Sequence, residues 1–219
     1  MNSMYSYVCK DLRVYFTFEE PAQVLCRSIL LTKYLSGGTI SKDCKKLSFH
    51  AHDIKPLNEF VNKQSNNFTD FTYEHAMKMI THLSHQIYHL ENMETSFLWM
   101  DPKDIYVINN QYFFCFGNAY VRPCSLAKKR YMTLSTPISI SKYKFASPDY
   151  KGINALPVLI PYQASYYSLG AIVIYCLFPK IEPSYISPEH LKSIKGTKLY
   201  WFLLRSIADD PSKRYLLFV

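Results

Sequence analysis

Between Tyr166 and Phe178 the chain runs through thirteen residues without one charged side chain. A stretch this apolar has to leave water, yet it falls short of the roughly 20 residues that span a bilayer. A helix buried on all sides satisfies it, and such a helix needs other elements packed around it. With 219 residues, 48% of them hydrophobic and 19% charged, the chain has the material for one globular domain or two small lobes sharing a core.

The surrounding elements can be read in turn. Residues 5–18 alternate and are rich in Tyr, Val and Phe, which predicts a strand pair connected at Lys10-Asp11. Thr17 and Glu20 have capping-box spacing and Pro21 suits a first turn, so a helix through Val24–Leu31 is expected, ended by Gly37-Gly38. A strand over 46–54 and a short helix at Leu57–Val61 follow, then a polar connection, Asn62–Asp70. Ala76, Met79, Ile80, Leu83, Ile87 and Leu90 fall within about 100° of arc and predict an amphipathic helix. Ile105–Ile108 and Tyr112–Phe116 read as a hairpin turning at Asn109-Asn110. Residues 118–146 are long, basic and rich in Ser and Thr, with no clear period. Helices are expected again at 163–178, 187–194 and 197–208.

Composition removes several kinds of chemistry. Six glycines leave little room for a glycine-rich phosphate loop, and none of Gly-x-Gly-x-x-Gly form precedes residue 37. No two of the six cysteines make a Cys-x-x-Cys pair. Free thiols and the lack of an opening secretory signal point to a reducing, intracellular, cytoplasmic setting and to no membrane span. His85 and His89 are four residues apart, but no neighbouring carboxylate or thiol completes a metal site, so partly exposed helix histidines are expected. The net charge of +8 suits a solvated basic surface, an acidic protein partner or nucleic acid.

Four short motifs, in order and between suitable elements, resemble the protein-kinase superfamily. Phe114-Cys115-Phe116-Gly117 closes the hairpin where kinases have Asp-Phe-Gly. Ser147-Pro148-Asp149 resembles Ala-Pro-Glu, and Ser165-Tyr166-Tyr167-Ser168-Leu169-Gly170 resembles Asp-x-Trp-Ser-Leu-Gly at the head of the buried helix. Asp210-Pro211-Ser212-Lys213-Arg214 resembles Asp-Pro-x-x-Arg. The resemblance implies an α+β, kinase-like fold: a reduced, β-rich N-lobe over 1–54 and a mainly helical C-lobe over 55–219. It implies structural roles for Asp149, Arg214, Ser165 and Gly117, with Asp149 and Arg214 in contact.

The same resemblance implies lost chemistry. In Phe97-Leu98-Trp99-Met100-Asp101-Pro102-Lys103-Asp104-Ile105 it places Trp99 where a catalytic Asp would stand, and an indole N–H cannot act as a base. Cys115 replaces a magnesium-binding Asp, although magnesium prefers oxygen. Asp104 stands in the Asn position, a weak metal or cofactor ligand. Lys10 faintly resembles the strand lysine but reads as a turn lysine. Ser165 replaces the Asp that supports the catalytic loop, which fits a loop no longer held for chemistry. The leading expectation is a pseudokinase: a protein-binding scaffold with no cofactor and no catalytic residues. The alternatives are an atypical Ser/Thr kinase using ATP, magnesium, Asp101 as displaced base and Asp104, and a basic nucleic-acid-binding module. The last requires Lys42, Lys45, Lys46, Lys128, Lys129 and Arg130 to share a face.

Overall fold

The computed structural model describes residues 5–62, 71–115, 121–125, 131–137, 143–178, 181–182 and 186–216. It is a mixed α+β structure whose strands pair only in antiparallel fashion. Among the described residues no helix is long and apolar enough to cross a membrane.

The chain opens with the hairpin of β1 (Tyr5–Lys10) and β2 (Arg13–Phe18). Its turn falls at Asp11-Leu12, one residue later than expected, and both residues take positive φ, 50° and 60°. That left-handed pair matches the twist of the strands it joins. Strands β3 (Thr39–Ile40) and β4 (Lys46–His50) complete a sheet in the order β1-β2-β4-β3. Val14, Phe16, Phe18, Leu47 and Phe49 point into the core from it.

The helix α1 (Gln23–Leu31) starts without the capping box expected from Thr17 and Glu20. Thr17 is still inside β2, paired with Ser6 and Lys46, so its hydroxyl never reaches a helix end. The helix also stops well before Gly37: Thr32 returns its hydroxyl to the Ile29 carbonyl (2.6 Å) and Lys33 turns left-handed. The strand expected over 46–54 is likewise two elements. β4 ends at His50, and β5 (Ile54–Pro56) belongs to another sheet, β5-β7-β8, with β7 (Ile105–Ile108) and β8 (Gln111–Phe114). The 54/55 lobe division therefore lies at the start of a strand, and one hydrophobic core continues across it from Tyr5 to Ile207. The polar connection expected over 62–70 lies outside the described residues beyond Asn62, the last residue of α2 (Leu57–Asn62).

Helix α3 (Tyr73–Asn92) buries all six apolar positions read from the sequence. Thr72 caps it, and His75 takes the reciprocal place usually held by Glu or Gln. Among the buried apolar positions of the helix lies Gln86, fully buried, whose amide accepts from the Phe114 N–H (2.9 Å) and donates to the Phe114 carbonyl (2.8 Å). Asn109 and Asn110 make the expected left-handed turn, φ 49° and 62°. Helix α4 (Ala164–Leu177) buries eleven of its fourteen residues and packs against α3 and α5 (Lys198–Ser206). Gly170 permits the α5 contact: a Cβ there would lie 2.4 Å from the Ser206 hydroxyl.

Segment 118–146 contains more regular structure than its sequence suggests. β9 (Val121–Ser125) and β10 (Tyr131–Leu134) join β6 (Thr95–Phe97) and β11 (Val158–Pro161) in the order β11-β10-β9-β6. These strands are short, and β6 and β11 join the β9–β10 pair from far along the chain, so no local period announces them.

Candidate functional site

The loop from Phe97 to Ile105 is held between two cores. Phe97 and Met100 insert into the main one, while Leu98 and Trp99 insert into a smaller one with Met132, Leu134, Tyr150 and Ile160. Trp99 is 3% exposed. Its ring lies 4.1 Å from that of Tyr143 and meets Tyr150 edge-on. The Tyr150 hydroxyl donates to the Leu98 carbonyl at 2.6 Å. Tyr150 thus holds the loop through its backbone. Ser165 does not, because its hydroxyl turns back to the Tyr162 carbonyl (2.9 Å).

Beyond Trp99 the chain makes a single 3-10 turn, Pro102–Asp104. Asp101 caps it, accepting from the Lys103 N–H at 3.1 Å, and its other oxygen lies 3.6 Å from the Lys103 ammonium. Asp104 points the opposite way, into the core. The Tyr5 hydroxyl donates to its Oδ1 at 3.1 Å, and Oδ2 is buried with no hydrogen-bond partner among the described residues. Burial pushes the Asp104 carboxyl up to about 6, and the nearby Asp101 adds to this, against smaller opposing effects of Lys103 and Tyr5.

Cys115 sits next to Asp104 through a backbone bond, Cys115 N–H to the Asp104 carbonyl (2.8 Å). It is completely enclosed, and burial raises its thiol well above the ordinary range, with the charges of Cys26 and Asp104 acting in the same direction. A protonated thiol is a poor metal ligand. Among the described residues no cluster of three or more His, Cys, Asp or Glu could hold a metal ion. Gly117 lies outside the described residues.

Lys10 is not part of this cluster. Tyr5 and Lys10 terminate β1, so five strand residues, roughly 17 Å, separate Lys10 from the end that meets Asp104. The α3 histidines His75, His82, His85 and His89 are all partly exposed, as expected. His82 is partly buried, packs its ring at a tilt against Tyr34 at 4.4 Å and accepts from the Tyr112 N–H at 3.0 Å. Burial, with His85 and Lys78 nearby, brings it down to about 4. His85 contacts the Tyr34 hydroxyl through Nδ1, and Tyr88 and His89 are ring neighbours.

A second polar constellation ties the 147–150 turn to the end of the described chain. Arg214 is fully buried as a side chain and uses its whole guanidinium. Nε donates to the Ala208 carbonyl (2.6 Å), Nη1 to the Ser147 hydroxyl (2.9 Å) and to Asp149 Oδ2. Nη2 donates to Asp149 Oδ1 (3.3 Å) and to the Asp209 carbonyl (2.9 Å). Ser147 donates in turn to Asp149 Oδ2 (2.6 Å), and the Tyr167 ring covers the guanidinium at 5.4 Å. The expected Asp149–Arg214 contact is present and two-pronged. Sequence reasoning missed Ser147 and the two carbonyls, which only the folded chain brings to Arg214.

A cleft of about 360 Å³ opens beside the loop, lined by Asp101, Lys103, Lys144, Phe145, Tyr175 and Glu182 among others. Its charged groups are balanced, two acidic and two basic. Of the basic residues required to share a face, Lys42 and Lys46 are exposed on the β3–β4 hairpin and Lys45 is half-buried, while Lys128, Lys129 and Arg130 lie outside the described residues. The chain matches no known protein-family model, and no curated protein is significantly similar to it in sequence.

Proposed function

We propose that the chain is a degenerate relative of the protein kinases that binds another protein and transfers no phosphate. The observation that carries this reading is Trp99, buried and packed at a tilt against Tyr143 where a kinase would hold its base. An indole in that place neither accepts a proton nor leaves room for a substrate hydroxyl. The donor set around it does not fit magnesium. Asp104 has one oxygen capped by Tyr5, and Cys115 presents a protonated thiol instead of a second carboxylate. The Arg214–Asp149 tie supports the same reading from the structural side, since the lobe keeps its brace while losing its chemistry.

The test is thermal unfolding of the full chain with ATP, with and without magnesium, beside a phosphoryl-transfer assay on Ser/Thr peptides. No magnesium-dependent shift and no transfer are expected; a ligand at a hundred times its Kd would stabilise by about 2.7 kcal/mol. A second reading, an atypical kinase using Asp101 as base, draws support from Asp101 lining the cleft. Transfer that disappears in Asp101→Asn would establish it and end the scaffold proposal.

A further inference from the structure

The outer face of the β1-β2-β4-β3 sheet carries a row of basic side chains, with no acidic residue within the four strands. The registers Lys10↔Arg13 and Arg13↔His50 set three basic side chains side by side across three strands. Like charges placed directly opposite one another destabilise a sheet. Arg13 is nevertheless held in place with care. Nε donates to the Ser48 hydroxyl (3.3 Å), and Nη2 reaches the Gly37 carbonyl (2.8 Å), the Ser48 hydroxyl (3.2 Å) and Thr39 (3.3 Å). Nη1 reaches His50 Nε2 at 3.4 Å.

The hydroxyls and the carbonyl among these partners carry no charge, and among the described residues no carboxylate pairs with Arg13 or Lys10. Gly37 completes the arrangement. Its φ is +62°, and a Cβ there would come within 2.2 Å of the His50 ring. The guanidinium is thus fixed on the β4 side of β2, between Ser48, Thr39 and His50, at the centre of the basic row.

The next rows add a pattern. Val8↔Tyr15 lies alongside, with Val8 62% exposed, and beyond it Ser6↔Thr17↔Lys46 ends in another ammonium. The four strands contain no acidic residue. Successive rows on one face are about 6.8 Å apart, which is also the spacing of alternate side chains in an extended peptide.

We propose that this face docks an extended acidic segment of a protein partner, of the form Glu/Asp-x-apolar-x-Glu/Asp. The Lys10–Arg13–His50 row takes one carboxylate, the Val8–Tyr15 row takes the apolar side chain, and Lys46 takes the second carboxylate. The proposal rests on the scaffold reading for its partner being a protein, and it names the chemistry of that partner.

The probe is a labelled synthetic peptide with Glu-x-Leu-x-Glu at its centre, titrated by fluorescence anisotropy against the full chain. Saturable binding that weakens with salt is expected, and roughly tenfold weaker binding for Arg13→Gln and for the exposed-site variant Lys10→Glu. A peptide of the same composition with the acidic residues adjacent should bind no better than Arg13→Gln does. Thermal unfolding of each variant verifies that the fold persists. Equal affinity in wild type and both variants, or indifference to acid spacing, overturns the proposal. So does tighter binding to phosphatidylserine vesicles or to a single-stranded oligonucleotide of equal charge. Phosphoryl transfer by the protein would remove the scaffold reading while leaving this titration to decide the row on its own.

Discussion

Arg214 lies buried beneath Tyr167, where every N–H finds a protein oxygen and two of those oxygens belong to one carboxylate. Arg13 lies on the outside of a sheet, oriented by hydroxyls, a carbonyl and an imidazole, with no carboxylate at all. Both guanidiniums are immobilised, so immobilisation alone does not separate a structural arginine from a recognising one. Charge balance does. A cation taken out of water requires its anion within the fold, whereas a cation left at the surface can be aligned by neutral groups and still meet an anion from elsewhere. Asp104 is the third case, a buried acid whose carboxyl has one hydrogen-bond partner among the described residues, a tyrosine hydroxyl, and it records the cost of burying a charge without a close partner.

The largest effect tests the buried pair. Arg214→Ala should lower stability by roughly 3–5 kcal/mol in urea unfolding, because it strands Asp149, Ser147 and two carbonyls at once. Arg214→Lys keeps the charge but loses the fork, and should recover less than half of that. A double-mutant cycle with Asp149→Ala isolates the pair itself. A loss under about 1 kcal/mol in Arg214→Ala would mean that the carbonyls, not the ion pair, hold the turn.

That contact was legible in the sequence because it rests on two short motifs, Ser147-Pro148-Asp149 and Asp210–Arg214, and on complementary charge. Helix α3 was legible from its apolar period, and α4 from the absence of any charge between Tyr166 and Phe178. Asn109-Asn110 announced its turn because asparagine tolerates left-handed backbone. What escaped has a shared cause. Gln86 looks like a surface residue until Phe114 is packed beside it, and Tyr5 meets Asp104 across 99 residues of chain. β6 pairs with β9 and β11 with β10 across long stretches of sequence. Thr17 showed the converse: a correct local signature, overridden because β2 kept the residue in its ladder. The Arg13 row escaped because cross-strand neighbours are set by register, which no single strand displays.

A second test sharpens the contrast between paired and unpaired buried charge. Asp104 is raised from 3.8 to about 6, so between those values the folded protein holds a proton that the unfolded chain has lost. Its stabilising contribution is full below the unfolded value and is lost as pH rises through about 6, a change of at most about 3 kcal/mol. His82 runs the other way. It is lowered from 6.5 to about 4, so its contribution is full above 6.5 and is lost as pH falls toward 4; being partly exposed, it is worth about half as much. The two oppose each other across the acid range. Asp104→Asn removes one of them, so the variant should exceed wild type in urea midpoint at pH 7.5 and lose stability on acidification to pH 5, where wild type is nearly flat. An Asp104→Asn protein less stable than wild type at pH 7.5 would mean that the ionised acid is satisfied in the fold, and would reverse its standing against Asp149.

The smallest effect expected is the one that completes the comparison. Arg13 gives up hydration to lie against Ser48, Thr39 and Gly37, and those neutral contacts return about what water would have supplied. Its neighbour across the ladder is Lys10, so removing the guanidinium also relieves a repulsion. The two changes oppose each other, and Arg13→Gln should shift the urea midpoint by less than about 0.5 kcal/mol in equivalent stability. Added salt should narrow even that difference, because it screens the exposed repulsion while leaving the buried Arg214 pair untouched. A loss on the scale of Arg214→Ala would instead make Arg13 part of the support of the sheet, with the hydroxyls as its purpose. A near-silent substitution leaves the alignment of Arg13 without a folding role, and a side chain held by five contacts for no gain in stability is held for what it meets from outside.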